Sequence, residues 1–476
     1  MRSLFKFLIL LFSFSLFFCF LSSCKNTDQR SLYELNFKYN EDKIDGKLSY
    51  KFVNTYNTTF YHLVFNLHAN AYKQGAINRP TTATTEARAY PNGISYGDIT
   101  INGVTSNNAQ LQYEIYGDDC QFLKIYVDEI KDGDCYNVEI DFTTTLPNST
   151  LRLGKTSVGV NLADFFPTIC KIEDGKFKEL SYSPIGDPFL ADLHDYKVDA
   201  TIPSEYSIAS SGFPTLTVVD GTHTTYSYEL LNGRDFALAL SKNYKVFCKT
   251  QGDVVYTYYG FSDDGEQCLN QMIDCTEFYS KSFGSYQYKS LSLAECDFVF
   301  GGMEYSGLCF INYNLPTEEK MQIIAHEVAH EWWHSAVGND QNESAYLDEG
   351  LAEYSTYLYT LNANNKKIAN EQINSAKLAY KSFFTVEETL SGKANTIMNR
   401  ELCSFKNEYE YANIAYNKSL IMFYEYGKAI GEESAIKKLA SLYDAHKNKD
   451  LTLQSLIQYL GYSEHFNSYV DGKVLI

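Results

Sequence analysis

The chain has 476 residues, 45% of them hydrophobic, which is enough for a large core and more than one core usually serves, so two domains are expected. With 59 Asp and Glu against 40 Lys and Arg the formal charge is −19. That balance argues against nucleic acid as a partner, because phosphate binding needs clustered Lys and Arg, and it favours encounter with cationic ligands.

In chain order, residues 1–23 read as a signal peptide for a lipoprotein: Arg2 and Lys6 open it, residues 7–21 are apolar, and Leu21-Ser22-Ser23-Cys24 closes it. The last tetrad resembles a bacterial lipobox, so Cys24 is expected to carry lipid and to hold the chain on the outer face of a membrane, two acyl chains being what makes such an anchor stable. An uncleaved span is the alternative, and 15 apolar residues are short for the ~20 it needs. Nine cysteines remain beyond Cys19 and Cys24, with no pair at metal-ligand spacing. They read mainly as small buried hydrophobes, with Cys120–Cys135 and Cys268–Cys275 as conceivable pairs.

Residues 31–255 alternate apolar and polar in short runs, at 48–53, 61–67, 111–116, 122–127, 136–142, 196–202 and 236–240. Runs rich in Tyr, Val, Ile, Phe and Thr between Gly, Asn and Asp turns predict a mostly antiparallel β-domain over 24–250. From about Asp263 the period becomes helical, interrupted by a strand-like stretch at 290–304, which defines a second domain over 251–476. No Pro- or Gly-rich linker parts the two, so close packing is expected. The fold class is α+β.

A helix is predicted from Pro316-Thr317-Glu318-Glu319, with Thr317 as N-cap and Gly338 as stop. It contains His326-Glu327-Val328-Ala329-His330. Four helical residues turn about 400° and rise about 6 Å, so both imidazoles stand on one face and reach one ion. Glu327 points beside that ion, where a carboxylate suits a general base acting on a metal-bound water. A third ligand is needed, and Glu349 stands nineteen residues after His330 at the start of another predicted helix. Two neutral ligands and one anionic ligand leave Zn2+ acidic enough to bring bound water towards a pKa near ~7. His334 continues the histidine stripe but lies two turns on and about 80° round, which reads as a surface residue or one that supports the site from behind.

With these residues in view, the chain resembles the aminopeptidase N family of gluzincin zinc metallopeptidases, in its short bacterial form. That family holds one zinc ion through two histidines and a glutamate after eighteen intervening residues, which His326, His330 and Glu349 match. Its Gly-x-Met-Glu-Asn strand is matched by Gly301-Gly302-Met303-Glu304, with Tyr305 in place of Asn. By the resemblance, Glu304 grips the free α-ammonium of a peptide, and Gly302 and Met303 belong to the strand that the peptide joins. Tyr416-Asn417-Lys418-Ser419 is similar to the family's Tyr-x-Lys-Gly stretch and gives Tyr416 the oxyanion, with Tyr411 in support. The likeness extends to Asn66-Leu67-His68-Ala69-Asn70-Ala71 and Gly186-Asp187-Pro188-Phe189. It implies a saddle-like β-domain, a thermolysin-like catalytic domain ending near Ile476, and no large C-terminal helical domain. The activity implied is removal of N-terminal residues from peptides, by a monomer with no nucleic-acid partner. An endopeptidase of the same chemistry and an inactive surface protein that binds peptides are the alternatives.

Overall fold

The computed structural model of the protein describes residues 30–474, so the signal peptide expected over 1–23 and the expected lipid site Cys24 lie outside the described residues. The N-terminal half is built on an eight-stranded sheet. Its order is Phe213–Asp220, His223–Gly233, His194–Pro203, Leu32–Asn40, Lys43–Val53, Cys135–Thr145, Asp98–Ser106 and Ala109–Gln110. Along Leu32–Asn40 alternate residues Tyr33, Leu35, Phe37 and Tyr39 are buried, the period of a strand with one wet face. Tyr33 stacks on Tyr196 of the neighbouring strand, ring centroids 4.9 Å apart, and the hydroxyl of Tyr50 meets His194 Nε2 at 3.1 Å. Two four-stranded sheets and the two-stranded hairpin Ile172–Glu173/Lys176–Phe177 complete the described part of this half. The predicted runs all fall on or beside strands, but they omit Leu32–Asn40, Phe213–Asp220 and His223–Gly233. Phe213–Asp220 is an edge strand exposed over nearly its whole length, so it shows no buried alternation.

The C-terminal half has a five-stranded sheet in the order Lys245–Gln251, Val254–Gly260, Ser290–Cys296, Leu308–Asn312, Gly302–Tyr305. Its first strand begins a few residues ahead of position 251. Its last, Gly302–Tyr305, is an edge, with one ladder of backbone groups open to a further strand. Helices Gly265–Phe283, Thr317–Ala329, Tyr346–Asn362, Lys366–Ser391 and Ser419–Ile430 surround the sheet and share one apolar core. The halves are joined by partly buried ion pairs. Arg234 Nη1 lies 2.9 Å from Asp450 Oδ1, Lys171 pairs with the same carboxylate, and Lys178 pairs with Asp340.

The predicted helix differs at both ends. Thr317 is its first helical residue and not its cap; its hydroxyl donates to Asp264 Oδ2 at 3.0 Å. Nor does Gly338 end it. After Ala329 the chain winds through a π-helical segment, Glu331–Ala336, and Gly338 lies in the short strand Val337–Asn339, where a Cβ would stand 2.2 Å from the Arg234 guanidinium carbon. Glycine is there for close approach. Among the described residues no helix is long and apolar enough to cross a membrane, and the nine cysteines are free.

Candidate active site

A cleft of about 910 Å³ runs between the halves, lined by the edge strand, the motif helix and the helices Tyr346–Asn362 and Lys366–Ser391. On its floor His326 and His330 stand one turn apart, their rings edge to face and their Nε2 atoms 3.1 Å from each other. Glu349, in the first turn of Tyr346–Asn362, places Oε2 at 3.3 Å from both nitrogens. This triangle can be tested against a metal. Tetrahedral zinc with bonds of about 2.0–2.1 Å requires ligand atoms about 3.3–3.4 Å apart, so the three atoms stand nearly at coordination spacing. Glu349 Oε2 is buried and accepts no hydrogen bond, the condition of an oxygen awaiting a cation. Two imidazoles and one carboxylate are a donor set that suits zinc. Burial pushes the Glu349 carboxyl up, but the two imidazoles outweigh it and hold it at about 2.

Further groups hold these ligands in place. His330 Nδ1 faces Trp333 O at 3.3 Å. Glu353, one turn on from Glu349, sets Oε1 at 3.3 Å from His326 Nδ1, an ion-pair distance without hydrogen-bond alignment, and Gln372 Nε2 donates to its other oxygen at 3.0 Å. Carboxylates behind ligating histidines fix ring orientation. Glu353 was legible as the residue four beyond Glu349 on the same helix face, yet the sequence reading passed over it.

Glu327 is buried, with Oε2 unpartnered and the other oxygen against the edge strand: a Cβ on Gly302 would stand 2.3 Å from Glu327 Oε1. Burial pushes its carboxyl up to about 8, with the neighbouring His326 imidazole pulling the other way. Tyr416 donates its hydroxyl to Glu349 Oε1, and its ring lies against His326 at 5.9 Å. It sits in a second π-helical segment, Ala412–Lys418, directly ahead of the α-helix Ser419–Ile430. Such turns widen the helix and redirect a side chain. Tyr411 is buried edge-on to Tyr416 at 5.8 Å.

Glu304 lies on the edge strand and is buried, its carboxyl raised chiefly by that burial. The donor it meets is neutral: Gln341 Nε2, 3.4 Å from Oε1 and 2.9 Å from Asp348 Oδ2. Glu304, Asp348 and His334 form a second buried group whose ligand atoms all lie within 4.8 Å. His334 is therefore not a surface residue; its Nε2 meets Asp235 Oδ2 at 3.0 Å. Met303 turns the opposite way from Glu304, its sulfur 3.3 Å from Arg152 Nε, while Arg152 pairs with Asp187. Glu331, unremarked in the sequence, is buried and accepts Gly307 N at 3.1 Å, fixing the turn after the edge strand to the end of the motif helix. Tyr305 is buried with an unpartnered hydroxyl.

A two-histidine, one-glutamate site on two packed helices, beside an edge strand carrying a buried glutamate, is the arrangement of a gluzincin-type metallopeptidase. The comparisons agree. Residues 267–471 match the peptidase family M1 domain. The chain is similar in fold to the M1 zinc metallopeptidase from Deinococcus radiodurans, at TM-score 0.65 and 14% identity over 94% of each chain. A single-site mutant of that protein gives TM-score 0.66 at 14% identity, covering 94% of this chain and 95% of that one. The same mutant bound to a Tyr-Ser-Ala substrate gives 0.64 at 13%, with the same coverage. Residues 267–471 thus match the peptidase family M1 domain, the protein is a metallopeptidase, and the chain resembles the aminopeptidase N group in two-domain form.

Proposed function

We propose that the protein is a zinc aminopeptidase that hydrolyses the first peptide bond of peptides with a free N-terminus. The observation that supports this reading best is Glu304. A carboxylate buried beside a peptide-accepting edge and hydrogen-bonded only by one neutral amide, at 3.4 Å, is placed to receive the α-ammonium of a peptide. Backbone groups of Gly302 and Met303 would pair with the substrate as an added strand, which aligns the first peptide bond with the floor of the cleft.

His326, His330 and Glu349 would hold the zinc, which when bound supplies a Lewis acid that polarises the scissile carbonyl and makes a water acidic. Glu327 takes a proton from the attacking water and passes it to the leaving nitrogen as the C–N bond breaks. Tyr416 turns its hydroxyl from Glu349 towards the carbonyl oxygen as that atom gains charge, a contact that strengthens in the transition state. Placement outside a membrane, by lipid on Cys24, belongs to the same proposal and rests on the sequence of residues 1–24.

The test is a matched pair of peptides, free and N-acetylated. The free peptide should lose its first residue at least ~10²-fold faster, the scale of losing a buried charge pair. Equal rates, or cleavage in the middle of both, would replace this reading with an endopeptidase.

A further inference from the structure

The Tyr416 hydroxyl is aimed by a short stretch of backbone, and one buried lysine holds that stretch from behind. Lys418 is fully buried and follows Tyr416 by two residues in the π-helical segment Ala412–Lys418. Two residues are about half a helical turn, so the two side chains leave the segment on opposite sides. Tyr416 lines the cleft and Lys418 does not. Lys418 Nζ donates to Thr396 O and to Tyr469 O, both at 2.6 Å, and stands 5.9 Å from the centre of the Tyr380 ring. Among the described residues no carboxylate pairs with it, and burial pushes its ammonium down to about 7. A buried ammonium met only by carbonyls is a costly way to fill a core, whereas its reach and its donors suit a clamp.

The two acceptors belong to segments far apart in the chain that are joined around the lysine. Thr396 stands in the connection after helix Lys366–Ser391, and Tyr469 in helix Ser463–Val470. Met398 N donates to Val470 O at 2.9 Å, and Thr396 Oγ1 donates to Gly472 O at 3.0 Å. Gly472, at φ +74°, lies so close that a Cβ on it would stand 2.7 Å from Thr396 Oγ1. Towards the metal site, Ser419 Oγ donates to Tyr416 O at 2.8 Å, and a Cβ on Gly350, the neighbour of Glu349, would stand 2.6 Å from Ser419 Cβ. The backbone that carries Tyr416 is thus packed against the ligand helix through Ser419 and tied to the joined segments through Lys418. The α-helix is the preferred winding, so contacts outside a π-turn have to hold it.

We infer that Lys418 is a positioning residue for the reaction: by clamping the π-turn to Thr396 and Tyr469 it holds the Tyr416 hydroxyl where the substrate carbonyl oxygen gains charge. The inference rests on the proposed function, which gives Tyr416 that role. Steady-state kinetics on trialanine and zinc content are to be measured on the wild type, Lys418→Met, Tyr416→Phe and the double variant. Tyr416→Phe should lower kcat about 10²-fold, as loss of one oxyanion donor does. Lys418→Met should lower kcat about tenfold, with KM within about twofold and zinc retained, because a displaced donor is missed in the transition state. In the Tyr416→Phe background the same change should cost less than about twofold, since the group it positions is gone. If Lys418→Met does not fold, Gly472→Ala carries the same cycle, because its Cβ would push Thr396 away and loosen one of the two acceptors. A loss of equal size in both backgrounds, no loss in the first, or loss of zinc along with turnover overturns the role of Lys418 and leaves the aminopeptidase reading intact. Wild-type kcat in Tyr416→Phe overturns the roles of Tyr416 and Lys418 together. A wild type that does not release the first residue of trialanine overturns the aminopeptidase reading and this inference with it.

Discussion

Glu327→Gln is expected to lower kcat by ~10²–10⁴-fold, the usual contribution of a general acid–base, while the purified protein keeps its zinc. The side chain sits next to His326 in sequence but is not among the three atoms that converge on one point; Oε2 is unpartnered and faces the cleft. Gln is nearly isosteric, so the close contact with Gly302 survives, and only the capacity to hold a proton is lost. Metal content and kcat should be measured on the same preparation. Loss of metal along with turnover would make Glu327 a ligand and reassign every role in the centre.

Glu304→Ala should act on recognition. Removing the carboxylate should cost ~10²-fold in kcat/KM on peptides with a free amine, as truncating one partner of a buried charge pair does, and far less on N-blocked ones. The folded protein need not suffer. Glu304 lies within a buried group that already holds Asp348, both carboxyls being raised mainly by burial, so its removal relieves repulsion. Equal losses on free and blocked substrates would mean that Glu304 supports the strand and does not read the ammonium.

The metal centre was legible because its signal is local. His326 and His330 are one helical turn apart, and Glu349 opens the next helix but one, so helical geometry nearly fixes their convergence. Of the two places the sequence allowed His334, the surface and a support behind the site, the surface one fails because that geometry lapses after Ala329. The π-helical segment and the non-helical Trp333, φ −113° and ψ 47°, carry its ring inward to Asp235, where an ideal helix would leave it turned away. Tyr416 likewise owes its aim to a π-turn, and no period in the sequence announces one.

The groups contributed by distant parts of the chain left no such trace. Gln341 reaches Glu304 across 37 residues, Arg152 reaches Met303 across 151, and Arg88 comes to the cleft from the other half altogether. Their chemistry is ordinary for their residue types, and only the close packing of the two halves brings them to the site. That packing was foreseen from the lack of a linker, and the partly buried pairs on Asp450 and Asp340 span it.

The account turns on one ion held by His326, His330 and Glu349, and elemental analysis of the purified protein measures it directly. One zinc per chain is expected, falling well below one in His326→Ala, His330→Ala and Glu349→Ala while Glu353→Ala keeps a weakened share. A protein that retained stoichiometric zinc after loss of any of the three, or never bound it at all, would contradict the account.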